Sequence, residues 1–174
     1  MVKLYPGGKQ SSHLHSLQPG DSLTFLPIKE FGWQPNLHSH VALIAGGAGI
    51  TPMYQLARGI LQNPDDHTRV TLVWGVNTDG DIFLQDEFAA MEQKFPGRFK
   101  AVYVVATPEA GSLHQKGFVT RQVLEKAGLK ATEEKNRDVK VLVCGPPAME
   151  KALKAKGQGV LAELGYRPDQ VYSF

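Results

Sequence analysis

The sequence predicts an α/β fold with a five-stranded parallel sheet. In residues 41–174, short apolar runs alternate with stretches that have helical periodicity. Most of these runs carry apolar residues at successive positions, as parallel strands buried on both faces do. Repeated strand and helix predict a parallel sheet covered by helices. The predicted strands are Val41–Ala45, Arg69–Gly75, Phe99–Ala106, Val139–Gly145 and Gln170–Phe174.

The helix after the first predicted strand has one apolar face. Its apolar residues fall at offsets 0, 3, 4, 7 and 8: Met53, Leu56, Ala57, Ile60 and Leu61. Thr51 is the predicted N-cap and Pro52 the predicted first helical residue. The other predicted helices are Asp81–Phe95, Thr120–Ala127 and Pro147–Leu164, the last broken near Gly157 and ended by Gly165.

The N-terminal residues have a different pattern. A β-like start at residues 2–5 precedes a predicted helix from Ser11 to Leu17, then a turn and a strand within residues 18–26. Residues 27–40 contain two prolines and a glycine and are predicted to be a linker. The predicted domain organisation is therefore 1–26, 27–40 and 41–174.

Composition excludes several classes of protein. The 174 residues suffice for one domain and a fragment of a second. A net charge of +2 is too balanced to indicate a nucleic-acid partner. The single cysteine, Cys144, excludes an intrachain disulfide. No apolar run approaches the roughly 20 residues that a transmembrane helix needs, and the N-terminus lacks the apolar core of a signal peptide.

The stretch LIAGGAGITPM joins the first predicted strand to its helix through Gly46-Gly47-Ala48-Gly49. One interpretation is a tight turn. The other is a site for ligand phosphates, because glycine allows close approach to the backbone and a helix N-terminus favours anions. The spacing differs from G-x-G-x-x-G, so the usual dinucleotide fingerprint is absent from this turn.

A second turn, Cys144-Gly145-Pro146-Pro147, follows the fourth predicted strand. Carboxyl ends of parallel strands share one edge of the sheet, where ligands bind in such folds. Cys144 would then lie near a bound ligand. The alternative is that it is a small buried apolar residue.

Taken together, GGAGITPM and CGPPAM resemble the pyridine-nucleotide domain of ferredoxin-reductase-type flavoenzymes, and most of all NADH–cytochrome b5 reductases of the fungal mitochondrial type. GGKQSSHLHSLQPGDSL is similar to the end of their flavin domain, and NTDGDIFLQDEF to a segment near their nucleotide site. The resemblance covers essentially the whole chain. It implies a Rossmann-like nucleotide domain and, in residues 1–26, the remnant of an antiparallel β-barrel.

The resemblance also implies roles for individual residues. Hydride would pass from NADH to FAD, and electrons would then pass to cytochrome b5 or a similar acceptor. The two catalytic residues would be Thr51, which faces the flavin, and Cys144, which lies near the nicotinamide. FAD would contact Lys3, Tyr5, Gly8, Lys9, Ser11 and Ser12. The nucleotide turn would comprise Gly46, Gly47, Ala48, Gly49 and Pro52. The nicotinamide pocket would comprise Cys144, Gly145, Pro146, Pro147 and Met149, and Phe174 would end the chain as in the family.

Three departures from the family pattern matter. The earlier part of the flavin domain, with its Arg-x-Tyr-Thr/Ser motif, is absent, so we expect a fragment that binds FAD weakly or not at all by itself. Ala106 stands where the family commonly places an aspartate for the adenosine ribose, so we expect a weaker preference for NADH over NADPH. Ala48 replaces a frequent threonine, with a modest expected effect.

The family resemblance also implies a location and leaves alternatives open. It implies mitochondria, at the outer membrane or in the intermembrane space, with the endoplasmic reticulum surface as the alternative. Any membrane attachment would come from a preceding segment. Two other functions remain: a catalytically silent nucleotide-binding module, and the same module serving another acceptor, as in nitrate reductase.

Two further groups of side chains suggest weaker hypotheses. Two His-x-His pairs, His13/His15 and His38/His40, have no cysteine or acidic cluster to complete a metal site, so no metal is predicted. A loose basic stretch is either a solvated face or a docking surface for an acidic cytochrome. It comprises Lys126, Lys130, Lys135 and Lys140.

Overall fold

A computed structural model describes residues 2–26, 31–129, 138–155 and 158–174. Two compact units are present, Met1–Trp33 and Gln34–Phe174. The predicted break near Gly157, and Lys130 and Lys135 of the basic stretch, lie outside the described residues. None of the described helices is long and apolar enough to cross a membrane.

The first unit contains one described helix, α1 (Lys9–Ser16), two residues ahead of the predicted start. Residues 2–5 and 21–26 form no strand, so the β-strands predicted there are wrong. Apolar side chains of this unit are largely exposed rather than paired in a sheet, including Leu4, Phe25 and Leu26.

The second unit is built on a parallel sheet of six described strands in the order β4-β3-β2-β1-β5-β6. The strands are β1 (His40–Gly46), β2 (Arg69–Val76), β3 (Phe99–Val105), β4 (Gln115–Lys116), β5 (Val139–Cys144) and β6 (Val171–Ser173). The five predicted strands are confirmed with small shifts at their ends. The count of five is wrong, because the two-residue strand β4 pairs with Val104 and Val105 at the edge of the sheet.

Five described helices of the second unit connect and cover these strands: α2 (Ile50–Gln62), α3 (Gln85–Lys94), α4 (Arg121–Lys126), α5 (Pro147–Lys154) and α6 (Val160–Glu163). The predicted helix over 81–95 begins later, because residues Asp79–Asp81 form a separate 3₁₀ turn. The predicted C-cap at Gly165 is confirmed. Its φ is +85°, and Tyr166 N–H donates to the Leu161 carbonyl at 2.9 Å in a Schellman arrangement.

The core lies on both faces of the central strands. Residues 41–45 of β1 are fully buried, as an apolar run at the centre of a parallel sheet predicts. On one face, Ala42 and Ile44 belong to the same apolar cluster as Val123 of α4, Leu153 of α5 and Leu161 of α6. Helix α2 contacts β1, β2 and β5, and it buries the apolar face that its periodicity predicted.

Candidate functional site

The carboxyl ends of β1 and β5 form the centre of the candidate site. From β1 the chain proceeds outward through β2, β3 and β4, and then returns to the other side of β1 as β5 and β6. Ala45 pairs with Cys144, so the turns that follow these two strands are neighbours at one edge of the sheet. Ligands of open parallel sheets bind at such a reversal of strand order. Both turns that the sequence singled out therefore lie at this point.

The first turn differs in detail from the prediction. A 3₁₀ turn, Gly47–Gly49, follows β1, and α2 begins at Ile50 with Gly49 as its N-cap. Thr51 is therefore inside the helix, and its Oγ1 donates to the Ala48 carbonyl at 3.1 Å rather than capping the helix. No side chain caps α2, and its first turn carries no acidic residue. This helix terminus is compatible with an anionic ligand.

Three glycines at these turns are required by close packing between the turns. A Cβ on Gly46 would lie 2.7 Å from Pro146 Cδ and 2.9 Å from the sulfur of Met149. A Cβ on Gly49 would collide with the carbonyl oxygen of Cys144, and one on Gly145 with the methyl group of Met149. The glycines therefore let the β1–α2 and β5–α5 turns touch, whatever they do for a ligand.

Gly47 has a different requirement. Its φ is +51°, and a Cβ there would meet nothing within 4 Å. The Gly47 carbonyl accepts a hydrogen bond of 2.9 Å from Nε1 of Trp74, a fully buried side chain of β2. Trp74 was not among the site residues predicted from the sequence. The available signal was a large polar-tipped aromatic residue near the carboxyl end of a predicted strand, since a buried indole N–H needs an acceptor.

The second turn holds Cys144 half-buried at the end of β5. Burial, and then the charge of Glu150, raise the pKa of its thiol, so the sulfur is protonated at neutral pH. Pro146 is the N-cap of α5 and Pro147 its first residue. The two prolines fix this turn, and both are exposed at the surface.

Phe174 continues the line of β6. Its N–H donates to the Val143 carbonyl at 3.2 Å, and its ring packs edge-on against Tyr172 with centroids 5.2 Å apart. Phe174 is 40% exposed and lies beside the β5 end of the site.

Ala106 lies directly after β3, at the same edge of the sheet. Its N–H donates to the Val76 carbonyl at 3.0 Å, and Thr107 N–H to the Asn77 carbonyl at 2.8 Å. A methyl group thus occupies the position at the end of the strand, and it offers neither charge nor a hydrogen bond. Three exposed apolar side chains of the second unit were not predicted from the sequence: Phe83, Leu113 and Phe118.

The predicted flavin residues of the first unit surround a separate turn. Gly8 N–H donates to the Tyr5 carbonyl at 2.9 Å, and Gly7 has a φ of +73°. Ser11 is buried, and its Oγ accepts from the Tyr5 N–H at 3.1 Å. The Ser11 hydroxyl is thus used within the turn, while Lys3, Lys9 and Ser12 are exposed.

The N-terminus of α1 fits a phosphate group in general terms. Gly8 is the N-cap, no side chain caps the helix, and its first turn has no acidic residue. Helix N-termini of this kind favour anions.

Three histidines of the two His-x-His pairs and one lysine of the basic stretch contact individual partners. His15 Nε2 lies 2.9 Å from the Val2 carbonyl oxygen, His38 Nδ1 lies 3.5 Å from Asp138, and His40 Nε2 lies 2.9 Å from Thr71 Oγ1. In the basic stretch, Lys126 is exposed and Lys140 Nζ donates to the Asp169 carbonyl at 2.8 Å.

Comparison with known proteins decides the family. Residues 43–155 match the family described as the oxidoreductase NAD-binding domain. The chain belongs to this family. The match includes both glycine turns and extends from β1 into α5, so the α/β fold predicted from the sequence is confirmed.

The resemblance to cytochrome b5 reductases is also confirmed. The chain is 47% identical over 184 aligned residues to NADH-cytochrome b5 reductase 2 of Aspergillus clavatus, with 100% of this chain and 56% of that protein covered. It is 44% identical to the protein of the same name from Neurospora crassa, of which it covers 53%. The chain therefore spans about half the length of these relatives.

The cytochrome b5 reductase domain of Ulva prolifera nitrate reductase is a structural neighbour. Its TM-score is 0.83 at 29% identity, with 100% of this chain and 70% of that chain covered. The neighbour is thus a cytochrome b5 reductase domain that forms part of a nitrate reductase.

Proposed function

We propose that the second unit binds NAD(H) at the carboxyl ends of β1 and β5, as part of a flavoprotein reductase of the cytochrome b5 reductase type. The observation that carries the proposal is the contact between the two glycine turns at the reversal of strand order. Membership of the oxidoreductase NAD-binding domain family supports it.

The backbone of Gly46, Gly47 and Gly49 and the uncapped start of α2 would receive the pyrophosphate. No acidic residue of the first helical turn opposes the negative charge. The nicotinamide would lie beside Cys144, whose protonated thiol excludes a thiolate charge there. Thr51 has its hydroxyl directed to the Ala48 carbonyl, so its role would be to shape the turn near the reacting ring.

FAD would be held at the turn and helix start of the first unit, by the backbone around Gly8 and by Lys9 and Ser12. Bound flavin would supply the redox chemistry, namely the capacity to take up hydride and to pass on electrons one at a time. The residues of the chain bind and orient the two cofactors.

Cytochrome b5 is the proposed acceptor, since the relatives carry its name. One molecule of NADH would reduce two molecules of cytochrome, because each haem takes one electron. The Ulva domain favours a second candidate, the same module serving another acceptor. Mitochondria are the proposed location, with the endoplasmic reticulum surface as the alternative.

The test is a visible absorbance spectrum of the purified chain, incubated with FAD and desalted, and then exposed to NADH without oxygen. In parallel, calorimetry measures binding of NAD⁺ and ADP-ribose. We expect nucleotide binding and loss of flavin on desalting, because the first unit offers one short helix and exposed apolar side chains. Lys9→Ala should lower any residual flavin binding, whereas Lys126→Ala on α4 should leave it unchanged.

The outcomes separate the competing functions. Flavin that stays bound and bleaches with NADH would show that this chain completes the first half-reaction by itself. Nucleotide binding without flavin supports the nucleotide unit and leaves reduction to a larger assembly. A chain that binds neither NAD⁺ nor ADP-ribose would overturn the proposal.

A further inference from the structure

The carboxylate of Asp79 joins two loops that follow neighbouring strands. One oxygen accepts the Glu109 N–H at 2.7 Å, and the other accepts the Ser112 hydroxyl at 2.5 Å. These donors are 30 and 33 residues away along the chain. Asp79 itself belongs to the 3₁₀ turn after β2, which a reciprocal capping box between Thr78 and Asp81 fixes.

The Asp79 contacts begin where the sheet ends. Backbone pairing between the β2 and β3 segments continues past the strands through the Thr107 N–H and the Asn77 carbonyl. Glu109 and Asp79 each lie two residues after this backbone pair. Here the acceptor for the Glu109 N–H is the side-chain carboxylate of Asp79 and not a backbone carbonyl. A side chain therefore extends the ladder beyond the point at which the strands diverge.

Other contacts also support segment 107–114: two hydrogen bonds lie within it, and the His114 ring packs against Tyr103 with centroids 5.3 Å apart. Ser112 N–H donates to the Glu109 carbonyl at 3.1 Å, and His114 N–H to Ser112 Oγ at 3.2 Å. After the segment, the Gly117 N–H donates a hydrogen bond of 2.8 Å to the Val105 carbonyl of β3. Between these points Leu113 is 99% exposed, so apolar burial does not hold this residue in place.

The bonds to Asp79 are charge-assisted. The Ser112 hydroxyl, and then the Glu109 N–H, lower the pKa of the Asp79 carboxyl group below its usual value. The group is therefore ionised at neutral pH, and hydrogen bonds to an ionised acceptor are stronger than those between neutral groups.

Segment 107–114 begins at the edge of the sheet where the proposed nucleotide site lies. If the nicotinamide lies on the β5 side of the site, the adenosine end of the nucleotide lies over the carboxyl ends of β2 and β3. Segment 107–114 starts there, directly after Ala106. We propose that Asp79 is a positioning residue that holds segment 107–114 in the conformation that receives the adenosine end of the nucleotide, an inference that rests on the proposed nucleotide-binding function.

The test uses the 174-residue chain and three variants. Asp79→Ala removes both acceptor atoms, and Ser112→Ala removes one donor. Asp86→Asn is the control for loss of negative charge, because Asp86 is an exposed acid in the first turn of α3, shortly after the 3₁₀ turn that contains Asp79. Calorimetry gives the Kd for ADP-ribose and, by competition, for nicotinamide mononucleotide. Amide hydrogen exchange gives the protection of residues 107–114.

We expect Asp79→Ala to weaken ADP-ribose binding about tenfold and Ser112→Ala about threefold, the effects of losing two bonds and one bond to a charged group. The Kd for nicotinamide mononucleotide should stay at its wild-type value in Asp79→Ala and Ser112→Ala. The Kd of Asp86→Asn for ADP-ribose should also equal that of the wild type. Exchange should accelerate in residues 107–114 of the Asp79 variant and stay slow in β3. A general loss of folding would affect both nucleotide fragments and all strands alike.

Several results would overturn the inference. One is equal binding of ADP-ribose by the wild type, by Asp79→Ala and by Ser112→Ala. Another is a loss of binding in Asp86→Asn as large as the loss in Asp79→Ala. If Asp79→Ala fails to fold, Ser112→Ala decides the question alone. If the wild type binds neither ADP-ribose nor NAD⁺, the proposed function itself fails, and the inference falls with it even where exchange shows that Asp79 orders the segment.

Discussion

Nε1 of Trp74 donates a hydrogen bond of 2.9 Å to the carbonyl oxygen of Gly47. The donor is a fully buried residue of β2, and the acceptor has a φ of +51° in the turn after β1. The buried indole thus holds the Gly47 carbonyl of the proposed pyrophosphate turn in place. This bond connects the apolar core directly to the geometry of the site.

Replacement of Trp74 by phenylalanine should weaken both the fold and the turn. The variant loses one buried hydrogen bond and leaves unfilled volume, so we expect the free energy of unfolding to fall by about 1–3 kcal/mol. Urea denaturation followed by circular dichroism measures this change. Phe118→Leu is the control, because that ring is 76% exposed and should leave the midpoint unchanged. A stability equal to wild type in Trp74→Phe would contradict the importance of the bond.

Two glycine-to-alanine substitutions should act in opposite directions. Gly49→Ala places a methyl group against the Cys144 carbonyl, and overpacking of this kind costs about 1–3 kcal/mol of stability. Gly59→Ala lies within α2, where a Cβ would meet nothing within 4 Å, and should raise stability by about 0.5–1 kcal/mol. Thermal and urea unfolding of both variants test the pair. Only the first should also weaken ADP-ribose binding.

Ala106→Asp should change the choice between the two nicotinamide nucleotides. A carboxylate after β3 can accept from a ribose hydroxyl and repels a 2′-phosphate, so the ratio of the Kd for NADP⁺ to that for NAD⁺ should rise about tenfold. Calorimetric titration with both nucleotides gives this ratio. Ala106→Asn keeps a hydrogen-bonding group without the charge, so it should produce a smaller change. An unaltered ratio in Ala106→Asp would show that the adenosine ribose lies elsewhere.

The imidazole of His40 should make stability depend on pH. Burial, and then the charge of Arg69, lower its pKa from 6.5 to about 4. Between these values the unfolded chain binds a proton that the folded chain rejects, so stability is full above about pH 6.5 and falls by about 2–3 kcal/mol as the pH drops towards 4.

Urea denaturation at several pH values checks this expectation for His40. His40→Gln keeps a partner for Thr71 and removes the titrating group, and it should flatten the pH dependence between pH 4 and 6.5. His67→Gln alters an exposed imidazole and should keep the slope of the wild type. A slope in His40→Gln as steep as that of the wild type would assign the pH dependence to other groups.

Much of the fold could be predicted because the apolar patterns are local. Residues 41–45, most of residues 139–144 and the apolar face of α2 are buried, and each stretch shows this in its own pattern of apolar residues. Strand β4 escaped prediction because Gln115–Lys116 is short and polar, and it pairs only through Val104 and Val105. The strands expected in residues 2–26 need partners for their backbone groups, and a β-like local pattern does not supply them.

The candidate site was predictable in position and less so in its physical causes. Two glycine turns at strand ends indicated one edge of the sheet. The contact of Gly49 with Cys144 joins residues 95 positions apart, and the Trp74 bond to Gly47 spans 27. Neither leaves a periodic pattern. The roles of individual residues towards FAD and NADH stay predictions.

The central place of β1 has a consequence for the way the site arises as the chain is made. Strands β1, β2 and β3 lie close together in sequence, and they can pair soon after they leave the ribosome. Strand β5, about a hundred residues after β1, must join the opposite side of β1 later. Until then the turn at Gly46–Gly49 faces solvent without Cys144, Pro146 and Met149 against it. The two turns of the proposed nucleotide site can therefore meet only after β5 has been synthesised and has paired with β1.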